Sequence, residues 1–284
     1  MHDPSAPPFP SNHRPAWDER MGQKALTGKT YIVGLLVIFA SSYSQYLVSG
    51  ISLVAGAFLV YGVSILAISA IYGKSILRRA LRHTSTALRL GLGFFGIFTL
   101  LGTGASLLIV VILLRLDPVA LNLLQKPVPV LHVSPELAWI MVWASLIVVG
   151  PCEELIFRGF VFGGLLSLFG TRHWLILACL SSVLFAAVHL YYALTYGVAS
   201  LIPFVDIIAI GMALAITYYR SGGNLLIPAL IHGVYDATGF MAVAVSPRVG
   251  LLLRGMLMLV GVIAAVMMIL ERRRKLPEGG GDFE

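Results

Sequence analysis

The sequence ELAWIMVWASLIVVGPCEELIFRGFVFGGLLSLF, at residues 136–169, decides the fold class. As a single helix it would be about 51 Å long at 1.5 Å per residue. The hydrocarbon core of a bilayer is about 30 Å thick, so the segment is long enough to cross it. Ser134, Pro135 and Glu136 are typical of a helix start, with a capping hydroxyl, a first-turn proline and an early acid. The segment therefore predicts a transmembrane helix that begins near Pro135.

A glycine–proline pair, Gly150 and Pro151, lies in the middle of this predicted helix. Proline removes one backbone hydrogen bond and crowds the carbonyl four residues before it, so we expect a kink there. Two acids, Glu153 and Glu154, follow almost immediately. The predicted kink thus lies beside charged side chains in the centre of an apolar segment.

Further apolar stretches lie on both sides, at residues 30–48, 51–72, 88–114, 173–193, 200–219, 224–243 and 248–270. Most have close to the ~20 residues that a helix needs to cross a bilayer. The first is interrupted by polar side chains at Ser41, Ser42, Ser44 and Gln45, which leaves seven spans as an alternative to eight. We predict an all-α, polytopic transmembrane helix bundle of about eight spans, with a kinked fourth helix.

The composition excludes an ordinary water-soluble domain. The chain is 58% hydrophobic and only 12% charged, with a mean hydropathy of +0.90. Soluble domains carry about 25% charged residues. The net charge of +7 comes largely from clusters beside apolar segments, within residues 74–89 and 272–275. Such clusters are typical of cytoplasmic juxtamembrane positions, so we predict both termini in the cytoplasm and no nucleic-acid partner.

The domain organisation follows from the same pattern. Residues 1–29 are polar and proline-rich, and we interpret them as a disordered tail and not as a signal peptide. Residues 30–271 are predicted to form a single transmembrane domain, because no linker divides them, and residues 272–284 form a basic and polar tail. The two cysteines do not indicate a disulfide framework.

Ionisable residues occur in three clusters inside apolar sequence. The first holds Glu153 and Glu154 with Arg158, and on a helix Glu154 and Arg158 are neighbours four residues apart. Glu153 points about 100° away from Glu154 around the helix. One acid is therefore expected to pair with the arginine while the other stays free. A charged side chain at the bilayer centre costs about 2.5–3.5 kcal/mol, which favours a functional role for at least one of them.

The second cluster is His189, four residues after Phe185, and the third is His232 with Asp236, four residues apart on one helix face. Glu153 and His189 lie at similar separations from the turn at Gly170, so antiparallel helices would place them at similar depth. His232 lies closer to its own turn and matches that depth only if its helix is tilted, displaced or shortened. A buried glutamate and histidines in a water-accessible cavity can activate water and bind an oxyanion, which is the chemistry of amide hydrolysis.

The three clusters, in this order and spacing, resemble the motifs of the CPBP intramembrane endopeptidases, the family of Rce1-type CAAX prenyl proteases and bacteriocin-processing proteins. The resemblance covers roughly residues 135–245. It implies that Glu153 and His189 activate water and that His232 and the residue at position 236 bind the oxyanion. It also implies supporting roles for Glu154, Arg158 and Phe185.

One residue departs from the prenyl-protease pattern: Asp236 stands where those proteases have asparagine. A carboxylate donates no hydrogen bond unless it is protonated. Two alternative roles are therefore expected for Asp236: it orients His232, or it joins a metal site. Glu153, His189, His232 and Asp236 could ligate zinc, but we predict no cofactor.

The leading hypothesis is a membrane-embedded endopeptidase that cleaves a lipidated, leader-peptide or membrane-associated substrate. The alternative is a transporter or non-catalytic membrane scaffold that uses the same buried polar groups, and Asp206 in the sixth apolar stretch would suit a transporter. An inactive family member retained for protein binding is a third hypothesis. The sequence leaves open the side of the membrane to which the cavity opens.

Overall fold

The computed structural model describes residues 27–49, 53–72, 81, 83–117, 119, 122 and 133–274, and these residues form helices without any strand. The first three helices are α1 (Gly28–Ser49), α2 (Leu53–Ala57 continuing through Phe58–Val63 and Ser64–Tyr72) and α3 (Thr84–Leu116). The long helix α4 (Pro135–Phe169) follows. The remaining helices are α5 (Trp174–Ala187), α6 (Tyr191–Tyr196), α7 (Leu201–Arg220), α8 (Leu226–Ala244) and α9 (Pro247–Arg274).

Within the described ranges, five helices are long and apolar enough to cross a membrane: α3, α4, α7 (with the preceding turn from Gly197), α8 and α9. The apolar part of α2, Ala55–Ile71, and α5 are shorter. Each predicted apolar stretch contains a helix, which confirms the all-α polytopic bundle. The predicted 173–193 span ends early, because the chain turns at residues 188–190 and α6 follows as a separate short helix. The total of eight spans, with seven as the alternative, stays a prediction.

Helix α4 begins as its sequence predicts. Ser134 has an extended backbone, and its Oγ accepts a hydrogen bond of 3.3 Å from the backbone N–H of Leu137. Two π-helical segments, Ser145–Val149 and Leu155–Phe162, flank the short α-helical stretch that contains Pro151. Such segments widen a helix locally and are frequent at functional sites. The kink at Pro151 stays a prediction, and the π-helical segments show that the regular hydrogen bonding changes on both sides of it.

Small residues allow α4 and α8 to pack closely. A Cβ atom on Gly150 would lie 2.5 Å from the carbonyl oxygen of Ala229, and one on Gly233 would lie 2.5 Å from that of Ser145. Such distances leave no room for any side chain, so glycine is required at both positions. Because Gly233 follows His232, this contact sets the distance between α8 and the acidic segment of α4.

We expect Gly233→Ala to destabilise the bundle by about 1–3 kcal/mol, the usual range for overpacking a tight contact. The thermal unfolding midpoint in detergent micelles measures the effect. Gly255→Ala is the matched control, because a Cβ on Gly255 meets no atom within 4 Å. Equal unfolding midpoints for the two variants would contradict the predicted close approach.

Candidate functional site

Glu154 lies at the centre of a buried polar cluster. Its side chain is 0% exposed, and its Oε1 accepts a hydrogen bond of 2.7 Å from Arg158 and one of 2.8 Å from Nδ1 of His232. Arg158, also buried, donates from its second terminal nitrogen to the carbonyl oxygen of Gly211 at 3.1 Å. The cluster therefore ties α4 to α7 and α8. The ion pair expected between Glu154 and Arg158 is present.

The contact with Glu154 fixes the orientation of His232. A carboxylate only accepts hydrogen bonds, so Nδ1 of His232 carries a proton. The opposite nitrogen, Nε2, lies 3.6 Å from Oε2 of Glu153 and 3.4 Å from Oδ2 of Asp236. His232 thus stands among three carboxyl groups. The sequence spacing placed Asp236 beside it but gave no sign that Glu154 would hold its other face.

Glu153 faces the cavity, as the turn of the helix predicts. Its side chain is 14% exposed, and its Oε1 accepts a hydrogen bond of 2.8 Å from the hydroxyl of Tyr61. Tyr61 lies in the π-helical segment of α2, outside the three sequence clusters. A tyrosine inside an apolar stretch is an ordinary residue in a sequence, so only the tertiary structure shows this contact.

Phe185 joins the two histidines. Its backbone carbonyl lies 2.9 Å from Nδ1 of His189, and its ring packs edge-on against His189 and His232 at centroid distances of 5.1 and 5.5 Å. The ring also packs against Phe157 at 4.8 Å and lies 4.8 Å from the guanidinium carbon of Arg158. The supporting position predicted for Phe185 is therefore a packing position that separates and orients the polar groups.

A cavity of about 590 Å³ brings the predicted catalytic residues together. Glu153, His189, His232 and Asp236 all line it, together with Tyr61 and Phe185. Its remaining lining is largely apolar, which suits a peptide segment with apolar side chains. The similar depth predicted for Glu153 and His189 agrees with their shared cavity, and α8 brings His232 to the same depth through its contact with Glu154.

Within the part of the chain that the structure describes, no group of three or more His, Cys, Asp or Glu side chains is arranged to hold a metal ion. The four residues named as the alternative zinc ligands therefore line one cavity without forming a ligand set.

A second polar group lines the same cavity farther from Glu153. Asp206 accepts a hydrogen bond of 3.0 Å from the hydroxyl of Ser106. Arg254 donates to Oγ1 of Thr238 at 3.2 Å, and its guanidinium carbon lies 4.3 Å from the ring centre of Tyr235. Asp206 was singled out from the sequence and Arg254 was not, although an arginine in an apolar helix is a signal of function.

Residues 135–238 match the sequence model of a family described as type II CAAX prenyl endopeptidase, Rce1-like. No curated protein and no solved structure matches the chain. The matched region begins with α4 and ends within α8, so it contains every residue of the three clusters, while α1–α3 and α9 lie outside it.

This match agrees with the resemblance that the three clusters indicate. The matched family is one of endopeptidases. Five helices among the described residues are able to cross a bilayer, so the chain is an integral, multi-pass membrane protein.

Proposed function

We propose that the chain is a membrane-embedded endopeptidase that uses Glu153 with His189 to activate water and His232 with Asp236 at the oxyanion side. The observation that carries the proposal is the shared cavity of these four side chains, with His232 held by the buried Glu154–Arg158 pair. The substrate is a peptide segment of a lipidated, leader-peptide or membrane-associated protein. A largely apolar cavity inside a bilayer protein favours such a substrate over a soluble one.

The proposed reaction uses Glu153 as the general base. Glu153 takes a proton from water while the water oxygen attacks the carbonyl carbon of the scissile bond. His189 orients the water: with Nδ1–H donated to the carbonyl of Phe185, its Nε2 is an acceptor. Glu153 then passes its proton to the leaving amine nitrogen, and the C–N bond breaks.

His232 acts at the carbonyl oxygen. In its protonated form it donates from Nδ1 to Glu154 and from Nε2 to the developing oxyanion. Asp236, with its Oδ2 at 3.4 Å from Nε2, orients this histidine. This role fits an aspartate where the prenyl proteases have asparagine, because a carboxylate does not itself donate to the oxyanion.

We expect cleavage without a metal ion. The test reconstitutes the purified protein in liposomes, adds a peptide library and identifies new cleavage sites by mass spectrometry. Chelators such as 1,10-phenanthroline should leave the rate unchanged, since Glu153 activates the water directly. Loss of cleavage with the chelator, restored by added zinc, would overturn the metal-free mechanism.

Tyr61→Phe should lower kcat by about tenfold with little change in KM. The hydroxyl of Tyr61 holds Oε1 of Glu153 at 2.8 Å, and loss of an orienting contact to a general base misplaces it without touching substrate binding. Steady-state kinetics of the reconstituted enzyme measure both constants.

Tyr31→Phe is the control for this prediction. It also removes a buried tyrosine hydroxyl, one that donates to the carbonyl of Val161 at 2.8 Å. It should cost about 1 kcal/mol of stability and leave kcat unchanged. Equal effects of both variants on kcat would contradict the proposed role of Tyr61 in orienting Glu153.

Transport is the second candidate, and the polar group around Asp206 and Arg254 in the same cavity favours it. A transporter would place a proton or ligand between these two groups. Uptake of a substrate driven by a proton gradient, lost in Asp206→Asn and unaffected in Glu153→Gln, would support transport over proteolysis.

A further inference from the structure

The helices share a common end, which three contacts define. α3 begins where α9 ends, since Arg89 forms a salt bridge of 2.9 Å with Glu271. α5 begins where α7 ends, since Trp174 stacks on Tyr219 at 4.6 Å. α1 begins near the end of α4, because the hydroxyl of Tyr31 donates to the carbonyl of Val161. We call this the basic end.

The opposite end is defined in the same way. The hydroxyl of Tyr43, late in α1, donates to the carbonyl of Ala187 at the end of α5. Ser106, in the second half of α3, bonds to Asp206, early in α7. Arg254, early in α9, bonds to Thr238, late in α8. We call this the cavity end, because the cavity lies in the half of the bundle next to it.

The cavity lies in the half of the bundle next to the cavity end. Its lining comes from late α1, early α2, the first two thirds of α4, the end of α5, early α7, later α8 and early α9. On α4, for example, the lining runs from Leu137 to Phe157, and on α7 from Pro203 to Ile210. Among the described lining residues, none lies beyond Phe157 on α4 or beyond Arg254 on α9. Glu153 and His232 therefore lie near the part of the cavity that is deepest in the bundle, and the cavity extends from there toward the cavity end.

Lysine and arginine residues are more frequent at the basic end than at the cavity end. Among the described residues, the helix ends and connections at the basic end carry Lys29, Arg89, Arg172, Arg220, Arg272, Arg273 and Arg274. The described helix ends and connections at the cavity end carry Arg115 and Arg248. Positive residues flanking transmembrane helices face the cytoplasm, and this bias sets the orientation of the whole bundle. The basic end is then cytoplasmic and the cavity end is not.

We propose that the cavity opens away from the cytoplasm, so that the substrate is a peptide segment on the extracytoplasmic side of the membrane. Suitable substrates are an extracytoplasmic loop of a membrane protein or an exported leader peptide that lies at the outer leaflet. A protein anchored by lipid in the cytoplasmic leaflet cannot reach Glu153 from that side. The substrate class rests on the proposed function, whereas the direction of the cavity does not.

Labelling of single cysteines in intact cells tests the direction. In a background with Cys152→Ala and Cys179→Ala, three variants each carry one cysteine: Val245→Cys between α8 and α9, Met141→Cys in the cavity wall, and His173→Cys between α4 and α5. A membrane-impermeant maleimide should label the first two in intact cells. His173→Cys should react only after the membrane is permeabilised.

Labelling of His173→Cys in intact cells, with Val245→Cys protected, would overturn the proposed orientation. Labelling of Val245→Cys with Met141→Cys reachable only after permeabilisation would overturn the direction of the cavity while keeping the orientation. Matched Arg89→Cys and Ser246→Cys variants repeat the comparison at each end if one of the first variants fails to accumulate.

A cleavage assay separates this proposal from the proposed function. One reporter peptide is fused so that it lies outside the cytoplasm, and an identical one so that it lies inside. Cleavage of the outer reporter alone supports both proposals, and cleavage of the inner reporter alone overturns the extracytoplasmic substrate. If neither reporter nor any peptide from the library is cleaved, the proteolytic function fails, and the labelling result still decides the direction of the cavity.

Discussion

Glu153→Gln is expected to lower the rate of peptide cleavage by about 10²–10⁴-fold, the usual contribution of a general base. Glutamine has nearly the same size and still accepts the hydrogen bond from Tyr61 that holds Oε1 at 2.8 Å. It cannot take a proton from water, so the loss falls on kcat. Kinetics of the reconstituted protein with one verified peptide measure it.

Glu136→Gln is the matched control for this prediction. Glu136 lies on the same helix, is exposed in the first turn of α4 and does not line the cavity. Its substitution should leave kcat within twofold of the wild-type value, on the order of 0.4 kcal/mol. Full cleavage by Glu153→Gln would show that another group activates the water.

Arg158→Met is expected to have the largest effect on stability, a loss of about 3–5 kcal/mol. The side chain of Glu154 is 0% exposed, and Arg158 is its charge partner at 2.7 Å. Methionine fills much of the space but leaves a buried carboxylate whose remaining partner is His232. The thermal unfolding midpoint and the yield of folded protein in detergent measure the loss.

The double variant Glu154→Gln with Arg158→Met is the control for this stability argument. It removes the charge as well as its partner, so it should recover much of the stability that Arg158→Met loses. A double variant as unstable as the single one would show that Arg158 acts through packing against Phe185 and not through charge. The recovery of stability without recovery of activity would assign the pair a positioning role.

Much of the fold could be predicted, because the length of each apolar stretch and the polar residues at its ends indicate where a membrane helix begins and ends. The start of α4 at Pro135 is an example, since Ser134 caps it as predicted. The break after Ala187 was not predicted. The apolar composition continues through Leu190 to Val198, and composition alone does not distinguish a turn in a sheltered loop from a continuing span.

The candidate site was predictable in its residues and less so in its contacts. Spacing of four on one helix identified the pair Glu154–Arg158 and placed Asp236 beside His232. Contacts between different helices have no fixed spacing in the sequence. The hydrogen bonds from His232 to Glu154 and from Tyr61 to Glu153 could therefore be identified only from the tertiary structure. The roles of these residues in catalysis stay proposals that the variants above test.

The most direct test of proteolysis is a comparison of protein termini in cells that express either the wild type or Glu153→Gln at equal levels. Mass spectrometry of enriched termini then identifies those that differ. The proposed function predicts new termini in the wild type that disappear with Glu153→Gln, and the further inference predicts that they map to extracytoplasmic segments. Identical termini in both cell populations, where the wild type still produces a phenotype that Glu153→Gln lacks, would contradict proteolysis and favour transport or a scaffold.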